Sequence, residues 1–405
     1  MKRVVVTGMG IWSCIGQDIQ TVTESLRAGR SGIIFDPERL EYGLQSGLRG
    51  NVPRPDLKLL LPRKFRATMS EDAEYAYMAA RQAFEQSGIT DDYLRNNEVG
   101  VIFGSDSISS GKVNGAKILR EERSSLLMGA GALFQSETSS VTMNLSGIFH
   151  LKGINLCTSA GCASSAYAVG LAMTLIRQGF QDVVLVGGAN ETSVYGAALL
   201  DGIDSISIQN ECPEKASRPY DKQRDGHVLS GGGAALVLED YEHAKQRGAS
   251  IIAELVGYGF STDGTFVFDR DYRSIVRSMT RALNNADVSP SDVDYVNSCA
   301  SSSIFDDCVD AKAMHELFAG TNTVVGSTES QTGHEHNMIG ASKIIYTLLM
   351  MQNEFVAPTI NMEELIPEAK GLNIVVKTTN KKLHTCMVVT SGAGNTNCTV
   401  IIRKT

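Results

Sequence analysis

The chain has 405 residues, 42% hydrophobic and 20% charged, with 39 glycines and only 9 prolines, the composition of a compact globular protein and not of a disordered, collagen-like or coiled-coil one. A net charge of −8, from 37 basic and 45 acidic side chains, argues against a general nucleic-acid binder, because phosphates would meet no broad basic face. The 8 cysteines, at 14, 157, 162, 212, 299, 308, 386 and 398, form no CxxC pair and are too sparse for a disulfide scaffold, so reduced thiols in a cytoplasmic protein are expected.

Residues 3–8 read as a first strand and not as a signal segment, because the apolar run is short and no small-residue cleavage site follows it. No run approaches the ~18 apolar residues that span a membrane. Further buried strands are predicted at 99–104, 182–188 and 234–238, where apolar runs meet glycine, and helices at 19–28, 73–87 and 164–178, the last closed by Gly179. From residue 251 the order repeats: strand 251–259, helix 274–285, strand 293–297, helix 307–318, strand 323–326 and helix 338–352. Two closing runs, 386–390 and 397–403, joined by Ser-Gly-Ala-Gly-Asn-Thr, read as a hairpin. Segments 161–180 and 340–355 are weakly similar where the two orders correspond. The expectation is an α/β protein of two duplicated halves, 1–250 and 251–405, packed as one body without a linker.

Cys162 falls in a tight turn of small residues where a helix begins. Free N–H groups and the helix dipole there stabilise a thiolate and could hold an oxyanion. The bland alternative is a small apolar residue at a crowded helix start.

Four segments in register resemble the β-ketoacyl-[acyl-carrier-protein] synthases of the synthase I type: Ser-Ala-Gly-Cys-Ala-Ser-Ser at 159–165, the stretch 214–239, Gln-Thr-Gly-His-Glu-His from 331, and the terminal Ser-Gly-Ala-Gly-Asn-Thr-Asn. The resemblance implies the thiolase fold, duplicated halves in a five-layer αβαβα sandwich. It implies a dimer, either a homodimer or a heterodimer with a second ketosynthase, and acyl carrier protein as partner; no cofactor and no metal is called for. Cys162 matches the acyl-accepting nucleophile and His334 a catalytic histidine, and the N–H groups of Cys162 and Ala393 would form the oxyanion hole. Ser301 and Ser303 stand where the family contacts the pantetheine arm. The basic run Arg63, Lys64, Arg66 resembles the carrier-docking patch, or is a solvated helix start.

The pattern breaks at several places. The family's other histidine, in Asn-Ser-His-Gly-Thr-Ser-Thr-Pro, is here Cys299, a weak donor. The family's lysine before Thr-Gly-His is Glu329, set by this reading against the carboxylate of Asp310. His227 replaces a phenylalanine expected beside the nucleophile, and either restores a base or is drift. Both phenylalanines of the terminal loop are gone. His336 invites a metal reading with Cys299 and Glu335 that no spacing signature supports. The first functional reading is therefore a subunit like a chain-length factor, impaired in its own decarboxylative condensation and partnering an active ketosynthase. An active condensing enzyme using Cys162 and His334, and a Cys-dependent acyltransferase or thioesterase, stay open beside it.

Overall fold

The computed structural model describes residues 1–106, 110–266 and 269–405. Five strands come from the first half: β1 Val4–Trp12, β2 Gly100–Gly104, β3 Asn155–Thr158, β4 Val183–Asn190 and β5 Gly232–Asp240. Five come from the second: β6 Ala253–Thr262, β7 Tyr295–Asn297, β8 Val324–Gly326, β9 Thr385–Gly392 and β10 Thr396–Arg403. They hydrogen-bond in the order β8-β7-β9-β10-β6-β1-β5-β4-β2-β3. Each half thus runs, from its outer edge, third, second, fourth, fifth, first.

The strand directions repeat as well. In both halves the second strand is parallel to the third and to the fourth, and the fourth-to-fifth and fifth-to-first pairs are antiparallel. The halves meet where Val4, Val5 and Val6 of β1 pair antiparallel with Leu255, Glu254 and Ala253 of β6. Weak sequence similarity between the halves thus coincides with a repeated topology.

Helices α1 Glu71–Ser87, α2 Ser164–Arg177, α3 Tyr272–Ala286, α4 Asp306–Phe318 and α5 Ile339–Gln352 make the other layers. One core lies between α1 and the outer face of the first half, another between α3, α4 and the outer face of the second. A third core holds α2 and α5 between the inner faces. This is the five-layer thiolase arrangement. It explains why β4 is buried at every residue and why α5 is apolar nearly all round, with every residue from Ile339 to Met351 buried. At the start of α5, a Cβ on Gly340 would lie 2.4 Å from the Ala166 backbone nitrogen, so only glycine lets the two central helices begin against each other. The turns that precede α2 and α5 are thereby brought to one place.

The predicted elements all appear, with shifted ends: β1 continues to Trp12 and α1 starts two residues early. The edge strand β3 was not anticipated, because its four residues, Asn-Leu-Cys-Thr, are too few and too exposed to show an apolar period.

Candidate active site

Cys162 sits in the turn just before α2. Gly161 has φ +56, a left-handed conformation, and the Ser164 hydroxyl closes the turn by accepting from the Ala160 N–H at 2.9 Å and donating to the Gly161 carbonyl at 2.5 Å. The β9–β10 hairpin packs its tip onto this turn. A Cβ on Gly392 would fall 2.9 Å from the Cys162 nitrogen, and one on Gly161 would fall 3.0 Å from the Ala393 nitrogen. Absence of side chains at both glycines lets the backbone amides of Cys162 and Ala393 neighbour each other.

His334 is fixed from two sides. Its N–H donates to the Val228 carbonyl at 2.7 Å, and its carbonyl accepts from the Ser230 N–H at 2.9 Å. The ring, buried behind Gly333, places Nε2 3.0 Å from Cys162 Sγ and Nδ1 2.7 Å from Glu329 Oε2. The other carboxylate oxygen, Oε1, accepts from Lys343 Nζ at 2.7 Å, and that ammonium also donates to the Ser298 carbonyl at 2.5 Å. Thiol, imidazole, carboxylate and ammonium form one row, buried from the imidazole inward and part-exposed at the thiol.

The row has a definite charge state. Burial pushes the Cys162 thiol up, but the charges and hydrogen bonds of His334 and His336 outweigh it and hold the thiol well below its usual range. Burial alone would lower His334, yet Cys162 and Glu329 raise it to about 10. Burial likewise opposes ionisation of Glu329, but Lys343 and His334 hold it below its ordinary value. The resting pair at neutral pH is therefore thiolate and imidazolium. An ionised Glu329 only accepts, so Nδ1 keeps its proton, and it is Nε2 that gains or loses one.

The structure does not set Glu329 against Asp310. Asp310 belongs to a separate group: Oδ1 accepts from Cys299 Sγ at 2.9 Å and from the Cys299 N–H at 3.1 Å, and Oδ2 accepts from the Tyr220 hydroxyl. Burial raises Asp310, and burial with the neighbouring Asp310 charge raises Cys299 well above the thiol range. Glu329 presents no free negative charge, because two cations face it.

His227 lies beside the base, its ring centre 4.9 Å from that of His334. Burial, then the His334 charge, depress it to about 4, so it is neutral at pH 7. Its Nε2 is 3.8 Å from Asp306, and its buried Nδ1 has no hydrogen-bond partner among the described residues. His336 does not join Cys299 and Glu335. Glu335 is buried against the Ser342 hydroxyl at 2.5 Å and the Tyr346 hydroxyl at 2.7 Å. His336 instead turns toward Cys162 and His334, its ring 5.1 Å from the His334 ring.

Ser301 and Ser303 are both buried, and the Ser303 hydroxyl accepts from the Asp306 N–H at 3.2 Å. Arg63, Lys64 and Arg66 form the short helix Arg63–Arg66 at the surface; Arg66 Nε donates to the Leu61 carbonyl at 3.1 Å. Lys343 escaped the sequence reading. Its signal was a lone lysine inside the apolar run from Ile339, which requires a buried anionic partner.

Residues 1–244 match the beta-ketoacyl synthase N-terminal domain and residues 252–363 the C-terminal domain. The chain is 39% identical over 407 residues to 3-oxoacyl-[acyl-carrier-protein] synthase 1 of Escherichia coli strain K12, covering 100% of this chain and 99% of that one. It is 31% identical to synthase 2 of Vibrio cholerae, covering 100% and 99%. Among solved structures, a beta-ketoacyl synthase from Burkholderia phymatum STM815 superposes with a TM-score of 0.95 at 31% identity over 100% of both chains. The ishigamide ketosynthase/chain length factor superposes at 0.91 with 25% identity, over 100% of this chain and 99% of that one. Whole-length likeness of this kind, together with the paired domains, places the chain in the β-ketoacyl synthase family.

Proposed function

We propose that this ketosynthase-family chain is a Cys-dependent acyltransferase of fatty-acid or polyketide-type elongation, loaded at Cys162 by an acyl thioester on a carrier protein, with weak decarboxylative condensation of its own. One observation carries the reading: His334 lies between Cys162 Sγ at 3.0 Å and Glu329 at 2.7 Å, the nucleophile–base–carboxylate order of an activated thiol.

The thiolate attacks the thioester carbonyl, and the N–H groups of Cys162 and Ala393 donate hydrogen bonds to the developing oxyanion. The carbonyl's bond to the carrier sulfur breaks, and that sulfur leaves with the proton from His334 Nε2. Neutral His334 then takes a proton from the next acceptor thiol, which attacks the acyl-Cys162 ester and restores the thiolate–imidazolium pair.

Decarboxylating a malonyl thioester makes a different demand, because the enolate oxygen needs hydrogen-bond donors. With Nδ1–H held by Glu329, neutral His334 presents a lone pair at Nε2, and the Cys299 thiol is committed to Asp310. Both features support the impaired-condensation reading and partnership with an active ketosynthase. The edge strand β3 is paired on one side only, by β2, with Leu156 38% exposed, which suits pairing with a second copy or with such a homologue. Among the described residues no helix is long and apolar enough to cross a membrane, consistent with work on carrier protein in the cytoplasm. One solved ketosynthase similar to this chain, at 25% identity, is in complex with its type II PKS acyl-carrier protein.

Incubation with acyl-carrier protein tests the reading by intact mass. A single acyl adduct that vanishes in Cys162→Ala is expected; an unmodified chain after prolonged incubation would refute it.

A further inference from the structure

Three side chains at the mouth of this site have a combined chemistry that acyl transfer does not use. Cys162 Sγ and one ring nitrogen each of His334 and His336 all lie within 4.8 Å of one another. Sulfur and imidazole nitrogen are the donors that borderline-soft divalent metals select, and three protein ligands with one position open is the usual make-up of an accessible zinc site.

The geometry is close to what such an ion needs. With bonds of about 2.3 Å to sulfur and about 2.0–2.1 Å to nitrogen, a tetrahedral ion sets its ligand atoms roughly 3.4–3.6 Å apart. The Cys162–His334 separation, 3.0 Å, opens slightly, and His336 closes by up to about 1.4 Å. The surroundings fit as well. His334 already donates Nδ1–H to Glu329, the carboxylate–histidine arrangement that orients a metal-bound imidazole and leaves Nε2 facing the ion.

His336 stands outside the Cys162–His334–Glu329 row, yet it also faces the thiol. It holds a left-handed backbone, φ +50, which is costly for a residue with a Cβ, and this conformation occurs where a ring nitrogen lies within 4.8 Å of the nucleophile's sulfur. Cys162 and His336 are both part-exposed, so an ion can enter from solvent. The cluster is a property of this chain's fold and was not visible in the spacing of the three residues.

We propose that Cys162, His334 and His336 form a divalent zinc site, with the fourth position left to water, and that zinc acts as a reversible brake on the nucleophile. Binding trades the Nε2 proton and the thiolate's nucleophilic lone pair for two metal bonds; the proton goes to solvent, and no redox change occurs. The brake rests on the acyl-transfer reading, whereas the site itself does not.

The test uses the reduced full-length protein without substrate, with cobalt(II) as spectroscopic stand-in and zinc as competitor. About one cobalt per chain is expected, with a thiolate-to-metal charge-transfer absorption that zinc abolishes and that is lost in Cys162→Ala and in His336→Leu. His336→Asp, which restores a ligand, should recover part of the absorption and guards against a folding artefact in the leucine variant. No charge-transfer absorption, or one unchanged in His336→Leu, would overturn the site. In parallel, zinc at ten times its Kd should slow iodoacetamide modification of Cys162 about tenfold, reversibly by chelator. Alkylation unaffected by bound zinc would overturn the brake. A thiol that alkylates normally and binds cobalt but never accepts an acyl group would count against the acyl-transfer reading and leave the metal site standing.

Discussion

The Nδ1 of His334 and the Oε2 of Glu329 lie 2.7 Å apart, and that contact decides which nitrogen of the imidazole can exchange a proton. An ionised carboxylate on one nitrogen leaves the other as a base aimed at sulfur. Glu329→Gln gives His334 a neutral partner that no longer favours the imidazolium. At pH 7 the rate of Cys162 alkylation should fall at least about tenfold, with little effect on binding of the reagent. A rate equal to that of the unaltered protein would show that Glu329 only fills space.

The thiolate–imidazolium pair also sets a pH profile. With Cys162 held well below its usual range and His334 raised to about 10, alkylation should be nearly flat from neutral pH up to about 9. In His334→Ala the rate should instead climb through the ordinary thiol range, about 8.5. Stopped-flow alkylation across pH 5–10 separates the two profiles.

Glu329 and Lys343 are both buried, so removing one leaves an uncompensated charge. Lys343→Met alone should cost about 3–5 kcal/mol in denaturant unfolding, whereas Lys343→Met with Glu329→Leu should recover much of that loss. An additive double variant would contradict a direct pairing.

His227 predicts an acid weakness. Its pKa is lowered to about 4 in the folded chain against about 6.5 unfolded, so between those values the unfolded state binds more protons. Stability is therefore undiminished above about 6.5 and declines as pH falls toward 4, by of order 2–3 kcal/mol for this one group. His227→Phe removes both the titration and the unpaired Nδ1. It should raise Tm at pH 5 relative to the unaltered protein and do less at pH 8; an equal shift at both would refute the assignment.

Much of this was legible in the sequence, for identifiable reasons. The buried strands and α5 announced themselves through unbroken apolar runs, and Cys162 and His334 through motif segments spread along the chain. Strand β3 was not legible, because a four-residue edge strand without a buried residue is too short to show a period. The family resemblance implied two opposed carboxylates at Glu329 and Asp310, yet Lys343, fourteen residues further on, turns out to face one of them, and Tyr220 and Cys299 the other. A buried ion pair across two turns of different elements leaves no local pattern. His336 invited a metal reading with Cys299 and Glu335, whereas the fold turns its ring toward Cys162 and His334.

The site divides its chemistry between acyl loading and decarboxylation. With one preparation, acyl loading of Cys162 from acyl-carrier protein and carbon dioxide release from malonyl-carrier protein can be timed side by side. Loading at least about a hundredfold faster than decarboxylation is the predicted outcome, matching the loss expected when an enolate loses its donors. Carbon dioxide release that keeps pace with loading, in the purified chain alone, would contradict it.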